Sequence, residues 1–184
     1  MKKIISGLAD RLYNQPIMNN SDRGNYAEQL VASALGKLWK PVGSGWHLWD
    51  FEGRVREKRI RIQVKQSAAR QLWTPKKKPS HAFSVEAKNR PDYILRDHPK
   101  EKIEGYGRFC EIYIFAWHGI GGERCDQRIP EQWIFFVVPE KSLGKMKRIP
   151  LKKLEGDWLQ KNGGVKSDWK NLRKSVLNII KKII

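Results

Sequence analysis

The sequence predicts an α/β fold in which helices flank a mixed β-sheet. Apolar residues recur at spacings of three and four over residues 24–38, which is typical of an amphipathic helix. Residues 59–66 alternate between apolar and polar, and residues 109–117 and 132–138 are apolar runs of strand length. A second amphipathic pattern lies near the end of the chain. Helices before and after a set of strands indicate one layered domain.

The first helix is expected to end near Gly36, because Pro41 and a glycine-rich run at residues 43–45 follow it. The predicted strands are rich in aromatic and β-branched residues, and they comprise residues 46–55, 59–66, 81–87, 109–117 and 132–138. Ser167 is expected to cap the last helix. The apolar face of that helix comprises Trp169, Leu172, Val176, Ile179, Ile180 and Ile183.

Less regular structure is expected in three segments: an N-terminal arm at residues 1–20, a basic loop at residues 70–80, and residues 90–102, which are irregular or a short helix. The chain is therefore interpreted as a single domain of residues 1–184. Its core is expected at roughly residues 21–140, and a C-terminal helical segment at residues 150–184.

The chain is strongly basic. Its 184 residues include 37 Lys and Arg against 19 Asp and Glu, which gives a formal net charge of +18. A folded chain with this charge repels itself unless an anionic partner screens it, and polyphosphate is the commonest such partner. We therefore expect a nucleic acid as the partner, with an anionic membrane surface as the less favoured alternative.

The sequence contains no apolar run of about 18 residues, so no membrane-spanning segment is expected. Asp10 and Arg11 interrupt the apolar stretch near the N-terminus, which argues against a secretion signal. Cys110 and Cys125 are the only cysteines, and so few thiols are typical of a reduced, cytoplasmic protein.

Four polar residues suggest a catalytic site: Glu28, Asp50, Gln63 and Lys65. Strand alternation places Gln63 and Lys65 on one face of the sheet. Asp50 joins that face if the two strands form a hairpin in which it lies opposite either residue. A carboxylate, an amide and an ammonium group would then lie within about 5–8 Å of one another.

Two hairpin registers satisfy this condition. Asp50 opposite Gln63 leaves Arg56-Glu57 as the two-residue loop, and Asp50 opposite Lys65 leaves Glu57-Lys58. Neither pair is of the Asn-Gly type that two-residue hairpin loops prefer, so the sequence leaves both registers open.

This set of groups suits phosphodiester hydrolysis. Mg²⁺ prefers oxygen ligands and is usually held by one or two carboxylates, with several waters retained. The ion polarises the phosphate and lowers the pKa of a bound water. Lys65 would offset negative charge on the phosphate, and Glu28, from the helix upstream, would supply a further carboxylate.

The order Gly24-x-x-x-Glu28, Asp50 and Gln63-Val64-Lys65 resembles the PD-(D/E)xK restriction-endonuclease-like superfamily. It looks closest to branches with Gln in the second acidic position, such as Mrr-like restriction nucleases. The helix-borne glutamate is similar to that of archaeal Holliday junction resolvases. The resemblance extends over residues 24–138 and implies a central mixed sheet flanked by helices.

The same resemblance implies an endonuclease that depends on Mg²⁺, with Mn²⁺ as a substitute, and that acts on double-stranded DNA. It implies Asp50 and Gln63 as metal ligands, Lys65 as the catalytic lysine and Glu28 as an accessory acid. A homodimer would fit the cleavage of both strands.

Two residues depart from the pattern of the superfamily. Trp49 stands where its name has proline, and Gln63 replaces an acid, so the site has one negative charge fewer. An amide oxygen still coordinates a cation, but more weakly. A catalytically inactive nucleic-acid-binding protein on the same fold is therefore the alternative function. A basic protein that binds other partners through its tryptophans is a third.

Basic residues form two clusters near the predicted site. They indicate a surface that follows DNA phosphates, although a solvated run of charge is the alternative. The hairpin cluster comprises Arg54, Arg56, Lys58, Arg59 and Arg61, and the loop cluster comprises Arg70, Lys76, Lys77 and Lys78, with Trp73 among them.

Each candidate also has a purely structural interpretation. Glu28 would be the capping-box partner of Asn25 if the helix began there. Gln63 and Lys65 would be the solvent-facing side of a half-buried sheet, and Asp50 a strand-end carboxylate.

Two competing sites remain open at this point. Glu86-Ala87-Lys88 is a second ExK tripeptide on an expected strand, with Asp92 shortly after it. Cys110, His118 and Cys125 suggest a zinc site, although they lack the paired spacing that such sites usually have.

Overall fold

The computed structural model describes residues 2–42, 47–72, 81–89 and 105–184. The helices in these ranges are α1 (Lys2–Tyr13), α2 (Asn20–Leu35), α3 (Leu151–Glu155), α4 (Trp158–Lys161) and α5 (Leu172–Ile183). The strands are β1 (Lys40–Pro41), β2 (Phe51–Val55), β3 (Lys58–Ala68), β4 (Ala82–Ser84), β5 (Lys88–Asn89), β6 (Tyr106–Gly107), β7 (Ile112–His118), β8 (Trp133–Pro139), β9 (Arg148–Pro150) and β10 (Val165–Ser167).

A central sheet of six strands organises the molecule, in the order β1-β2-β3-β7-β8-β10. β3 and β7 are parallel, and every other neighbouring pair in this sheet is antiparallel. Two small sheets, β4-β9 and β5-β6, accompany it. The predicted α/β class, with a mixed sheet flanked by helices, is confirmed.

The β2–β3 hairpin has the register that makes Arg56-Glu57 its loop, because Phe51 pairs with Ile62 and Val55 pairs with Lys58. Both loop residues have positive φ, 48° at Arg56 and 63° at Glu57. Positive φ at both central positions defines a type I′ turn, whose twist matches that of the flanking strands. The hairpin thus adopts this turn without an Asn-Gly pair, the sequence that most often favours it.

The two faces of the central sheet bury different clusters. On one face, α2 and α5 pack against strand residues such as Ile62, Val64 and Ile114. On the other face, Tyr113 and Phe115 pack against β4, β9 and the short helices α3 and α4. Strand alternation explains the division, because successive residues of β3 and β7 point to opposite faces.

Helix α2 begins four residues before the predicted start at Gly24. Its N-cap is Asn19, whose side chain accepts a hydrogen bond from the backbone N of Asp22. Gly36 ends it with φ of 78°, a conformation that favours glycine. The alternative interpretation of Glu28 as the capping-box partner of Asn25 is therefore wrong, since Glu28 lies in the interior of the helix.

The C-terminal prediction is corrected in one respect. Ser167 ends strand β10 of the central sheet, and α5 begins only at Leu172, with Asn171 as its N-cap. Trp169 lies between them and donates a hydrogen bond from Nε1 to the backbone O of Leu30. The helix–sheet core therefore extends beyond residue 140 and includes β10 and α5.

The N-terminal arm is helical, because α1 occupies most of it, and Ile4, Ile5 and Leu8 on this helix are exposed. No helix in the described part of the chain is both long enough and apolar enough to cross a bilayer. Residues 90–102, and Trp46 at the start of a predicted strand, lie outside the described residues.

The remaining predicted strands are present with shifted ends. The 109–117 run corresponds to β7 (Ile112–His118), and the 132–138 run corresponds to β8 (Trp133–Pro139). The 81–87 run is shorter than expected, since β4 covers only Ala82–Ser84. Hydrophobic runs thus located the strands, while the pairing partners set their ends.

Candidate active site

Glu28, Asp50, Gln63 and Lys65 line one cleft, whose volume is about 340 Å³. The register of the hairpin places Asp50 directly opposite Gln63, and both share a face with Lys65. Glu28 comes from α2, which packs on the other face of the sheet, and nevertheless lines the same cleft. The four residues selected from the sequence therefore meet.

Another hollow is larger, at about 560 Å³, and lies between α5 and β10. Its lining includes Lys166, Asp168, Asn171 and Lys174. It is more open to solvent, and the carboxylates among its described lining residues already have partners, since Asp168 accepts hydrogen bonds from Asn171. The smaller cleft is the better candidate because its polar groups converge.

Asp50 is fixed in orientation by two donors. Its Oδ2 accepts hydrogen bonds from Nε2 of Gln63, at 2.6 Å, and from the backbone N of Val64, at 2.5 Å. Burial raises the pKa of Asp50, while the Val64 N–H, the charge of Lys65 and the Gln63 amide each lower it. The carboxylate is thus held in place by the strand opposite it.

Glu28 has a strongly shifted pKa. Burial raises it to about 7, the negative charge of Asp50 adds to this rise, and the charge of Lys65 opposes it. The first cause acts because a partly buried carboxylate loses hydration, and the second because two like charges in one cleft repel each other. Glu28 can therefore accept or release a proton near neutral pH.

Lys65 is partly buried in the cleft and contributes positive charge to it, as do Lys88 and Arg108. It stabilises the ionised forms of both Asp50 and Glu28, as its effect on their pKa values indicates. Strands β3 and β7 place Phe115 beside it, because Lys65 pairs with Phe115 in the parallel ladder. This apolar neighbour strengthens the influence of the ammonium group on the cleft.

The donor set fits a hard divalent cation. Asp50 and Glu28 offer carboxylates, and Gln63 offers an amide whose oxygen and nitrogen exchange places on a half turn. Within the described ranges, no group of three or more His, Cys, Asp and Glu side chains lies close enough to hold a metal ion. Two carboxylates are nevertheless sufficient for Mg²⁺, which keeps several waters when bound.

The competing tripeptide lies in the same cleft. Glu86 and Lys88 both line it, but Glu86 falls after the end of β4 and not on a strand. Its carboxylate forms an ion pair of 3.2 Å with Lys147 and is about half exposed. Asp92 lies outside the described residues. Glu86 is thus an exposed carboxylate with only a weak surface ion pair, whereas Asp50 is fixed by the Gln63 amide and the Val64 N–H.

The two thiols considered for zinc lie in different places. Cys110 is buried in the cluster beneath the cleft face, beside Tyr113. The Sγ of Cys125 lies 3.9 Å from Nδ1 of His118. Both cysteines are free.

The hairpin cluster is partly engaged by acids of the chain itself. Arg59 forms an ion pair with Glu52, and Arg61 forms one of 2.6 Å with Glu111. Both guanidinium groups also lie over the ring of Trp49, at 5.4 and 5.3 Å from its centre. These two arginines therefore help to hold the hairpin, and much of their charge is already offset.

Other predicted DNA-contacting residues have varied surroundings. Lys58 donates to the backbone O of Ile184, and Arg70 donates to the backbone O of Gly122. Arg54 and Arg56 are exposed at the tip of the hairpin and form no ion pair with any described residue. The rest of the loop cluster, Lys76, Lys77 and Lys78, lies outside the described residues, as does Trp73.

The cleft also contains residues that the sequence did not single out. His47 and Tyr113 line it, and so does Arg108. Tyr113 could have been found from the register, because it pairs with Gln63 and shares its face. Arg108 could not have been predicted from the neighbouring sequence, because its contacts are with residues 23 and 38 positions away along the chain.

Comparisons of the chain with protein-family models, with curated proteins and with solved structures found no match. The assignment of a function therefore depends on the cleft itself.

Proposed function

We propose that the chain is a Mg²⁺-dependent endodeoxyribonuclease that hydrolyses phosphodiester bonds in double-stranded DNA, on a restriction-endonuclease-like fold. The observation that carries the proposal is the convergence of Glu28, Asp50, Gln63 and Lys65 on one cleft. The order and spacing of these residues, which resemble the PD-(D/E)xK pattern, support it. The net charge of +18 supports a polyanionic substrate.

Asp50 and Gln63 would hold the metal, with Mn²⁺ as a substitute. The ion would supply Lewis-acid stabilisation of the phosphate and a water of lowered pKa. The Val64 N–H would keep Asp50 oriented in this role. Gln63 would turn its amide so that the oxygen faces the ion, and its hydrogen bond to Asp50 would be given up. The neutral amide makes the binding of metal weaker than two acids would.

Lys65 would bind a non-bridging oxygen of the scissile phosphate and offset the charge that develops there. Its position on the same face as Asp50 supports this role. Glu28 would accept a proton from a water in the cleft, and its pKa of about 7 supports proton exchange at neutral pH.

The experiment is a nicking assay on supercoiled plasmid with Mg²⁺ or Mn²⁺. We expect metal-dependent nicking by the wild type, loss of nicking in Lys65→Ala, and retention of most activity in Lys88→Ala. Lys88 is a suitable comparison because it lines the same cleft. The reverse pattern would assign the chemistry to Glu86-Ala87-Lys88.

One observation favours a second function, a catalytically inactive nucleic-acid-binding protein. Gln63 is neutral, and its amide nitrogen already donates a hydrogen bond to the carboxylate of Asp50. The two side chains therefore satisfy each other without a cation. The same assay separates the two functions, because a non-catalytic protein would shift the plasmid on a gel and leave it supercoiled with either metal.

A further inference from the structure

A further basic surface, separate from the hairpin and loop clusters, lies on the segment from Lys141 to Lys153. This segment contains six cations and no acid, and they are Lys141, Lys145, Lys147, Arg148, Lys152 and Lys153. Its leucine and isoleucine side chains are buried, with Leu143 and Ile149 fully inaccessible. Because the apolar side chains point inward, most of the cations are left on the surface.

The surface is next to the cleft. Strand β9 pairs with β4, so that Arg148 lies opposite Ser84, and the backbone N of Val85 donates to the O of Lys147. Ser84 and Val85 both line the cleft. Arg148 is thus one strand spacing, about 5 Å, from the cleft wall.

Arg108 fixes this arrangement. Its guanidinium donates to the backbone O of Val85 on the cleft wall, and to those of Gly144 and Met146 in the basic segment. It also forms an ion pair of 3.1 Å with Glu140. The side chain is only 7% exposed, so these bonds are shielded from solvent. The basic segment is therefore held rigidly against the cleft.

The charge of the surface is largely uncompensated. Lys147 pairs with Glu86, but both side chains are well exposed, which makes the pair weak. Lys153 lies over the ring of Trp158 at 5.1 Å. Lys141, Lys145, Arg148 and Lys152 are exposed and form no ion pair with any described residue.

We propose that this surface binds the sugar-phosphate backbone of the duplex that enters the cleft, a proposal that rests on the proposed function for its substrate. The composition favours DNA over an anionic membrane. Binding at a membrane surface usually inserts apolar side chains, and the large apolar residues that are exposed in the described chain all lie outside residues 141–153. Two arginines of the hairpin, Arg59 and Arg61, are offset by Glu52 and Glu111, whereas this surface retains most of its charge.

The test compares two triple variants that each remove one Arg and two Lys. Lys145→Ala/Arg148→Ala/Lys152→Ala alters the proposed surface. Arg173→Ala/Lys174→Ala/Lys181→Ala alters exposed cations of α5, on the opposite face of the sheet. Affinity for a labelled duplex is measured by fluorescence anisotropy without divalent metal over a series of salt concentrations, so that no cleavage interferes.

The surface variant is expected to lose at least about tenfold in affinity, and its salt dependence should fall by about 0.9 for each phosphate contact removed. The α5 variant should stay within about twofold of the wild type. Equal losses in both variants, or no loss in either, would overturn the proposal. So would a surface variant that loses binding only to vesicles of anionic phospholipid.

The outcome is separable from that of the nuclease assay. If the wild-type protein does not nick plasmid but the surface variant alone loses affinity for duplex, the binding surface is supported and the nuclease function is contradicted. If the wild-type protein nicks plasmid but the surface variant binds duplex as tightly as the wild type, the nuclease function is supported and the binding surface is contradicted.

Discussion

Gln63 donates a hydrogen bond of 2.6 Å from Nε2 to Oδ2 of Asp50 across the β2–β3 hairpin. The relationship follows from the register, because pairing of Phe51 with Ile62 puts Asp50 opposite Gln63. Gln63, which stands in place of an acid in the PD-(D/E)xK pattern that the sequence resembles, thus orients Asp50. Four predictions test this arrangement and the hairpin that creates it.

Gln63→Glu is expected to place a second carboxylate beside Asp50. Repulsion between the two should lower the free energy of unfolding in EDTA by about 1–3 kcal/mol, because a hydrogen bond is replaced by like charges. Affinity for Mg²⁺ should rise by about tenfold or more, since ligand charge sets the strength of such sites. Thermal unfolding over a Mg²⁺ titration measures both effects.

Gln29→Glu is the control for that variant, because it adds the same charge at an exposed position of α2. If the two variants showed the same dependence of unfolding temperature on Mg²⁺, Gln63 would not belong to a metal site.

Glu28→Gln is expected to change how stability depends on pH. The pKa of Glu28 is about 7 in the folded protein and about 4.5 when unperturbed, so folding favours the protonated form. The resulting stabilisation is complete below about pH 4.5 and is lost as the pH rises through about 7. The glutamine variant stays neutral and should therefore exceed the wild type in stability at alkaline pH.

The difference at about pH 8 should be on the order of 1 kcal/mol, after allowance for solvent screening of a partly exposed group. Urea denaturation of both proteins at a series of pH values, without divalent metal, measures it. Parallel profiles for the two proteins would show that Glu28 is not perturbed by the cleft.

Glu57→Gly tests the type I′ turn. Glu57 has φ of 63°, which costs a side-chain-bearing residue about 1–2 kcal/mol relative to its relaxed conformation. Glycine removes this cost but loses more entropy on folding, so a net gain of about 0.5–1 kcal/mol is expected. The melting temperature measures it. Glu123→Gly, at an exposed residue without positive φ, should instead lower the melting temperature.

The sequence allowed the hairpin and its polar face to be predicted because alternation is a local property. Ile60, Ile62 and Val64 had to face the core, and this left Gln63 and Lys65 on the other side. The choice between two registers could not be made, because neither candidate loop has the residues that prefer positive φ. Backbone pairing along the whole strand decided it.

Other features depended on contacts that are distant in sequence. Strand β10 has only three residues and pairs with β8, about thirty positions earlier in the chain. A strand this short has no sequence pattern of its own from which it could be predicted. Residues 141–153 include six cations, but nothing in the sequence places them beside the cleft. That closeness depends on the pairing of β9 with β4 and on Arg108.

Asp50→Asn in the plasmid assay tests the central claim most directly, because asparagine keeps the shape of the side chain and an oxygen for the Val64 N–H while removing the charge. Asp157→Asn, at an exposed carboxylate that does not line the cleft, is the control. We predict that Asp50→Asn reduces metal-dependent nicking by at least about a hundredfold while duplex binding stays within about twofold. Nicking by Asp50→Asn at the rate of the wild type and of Asp157→Asn would contradict the account.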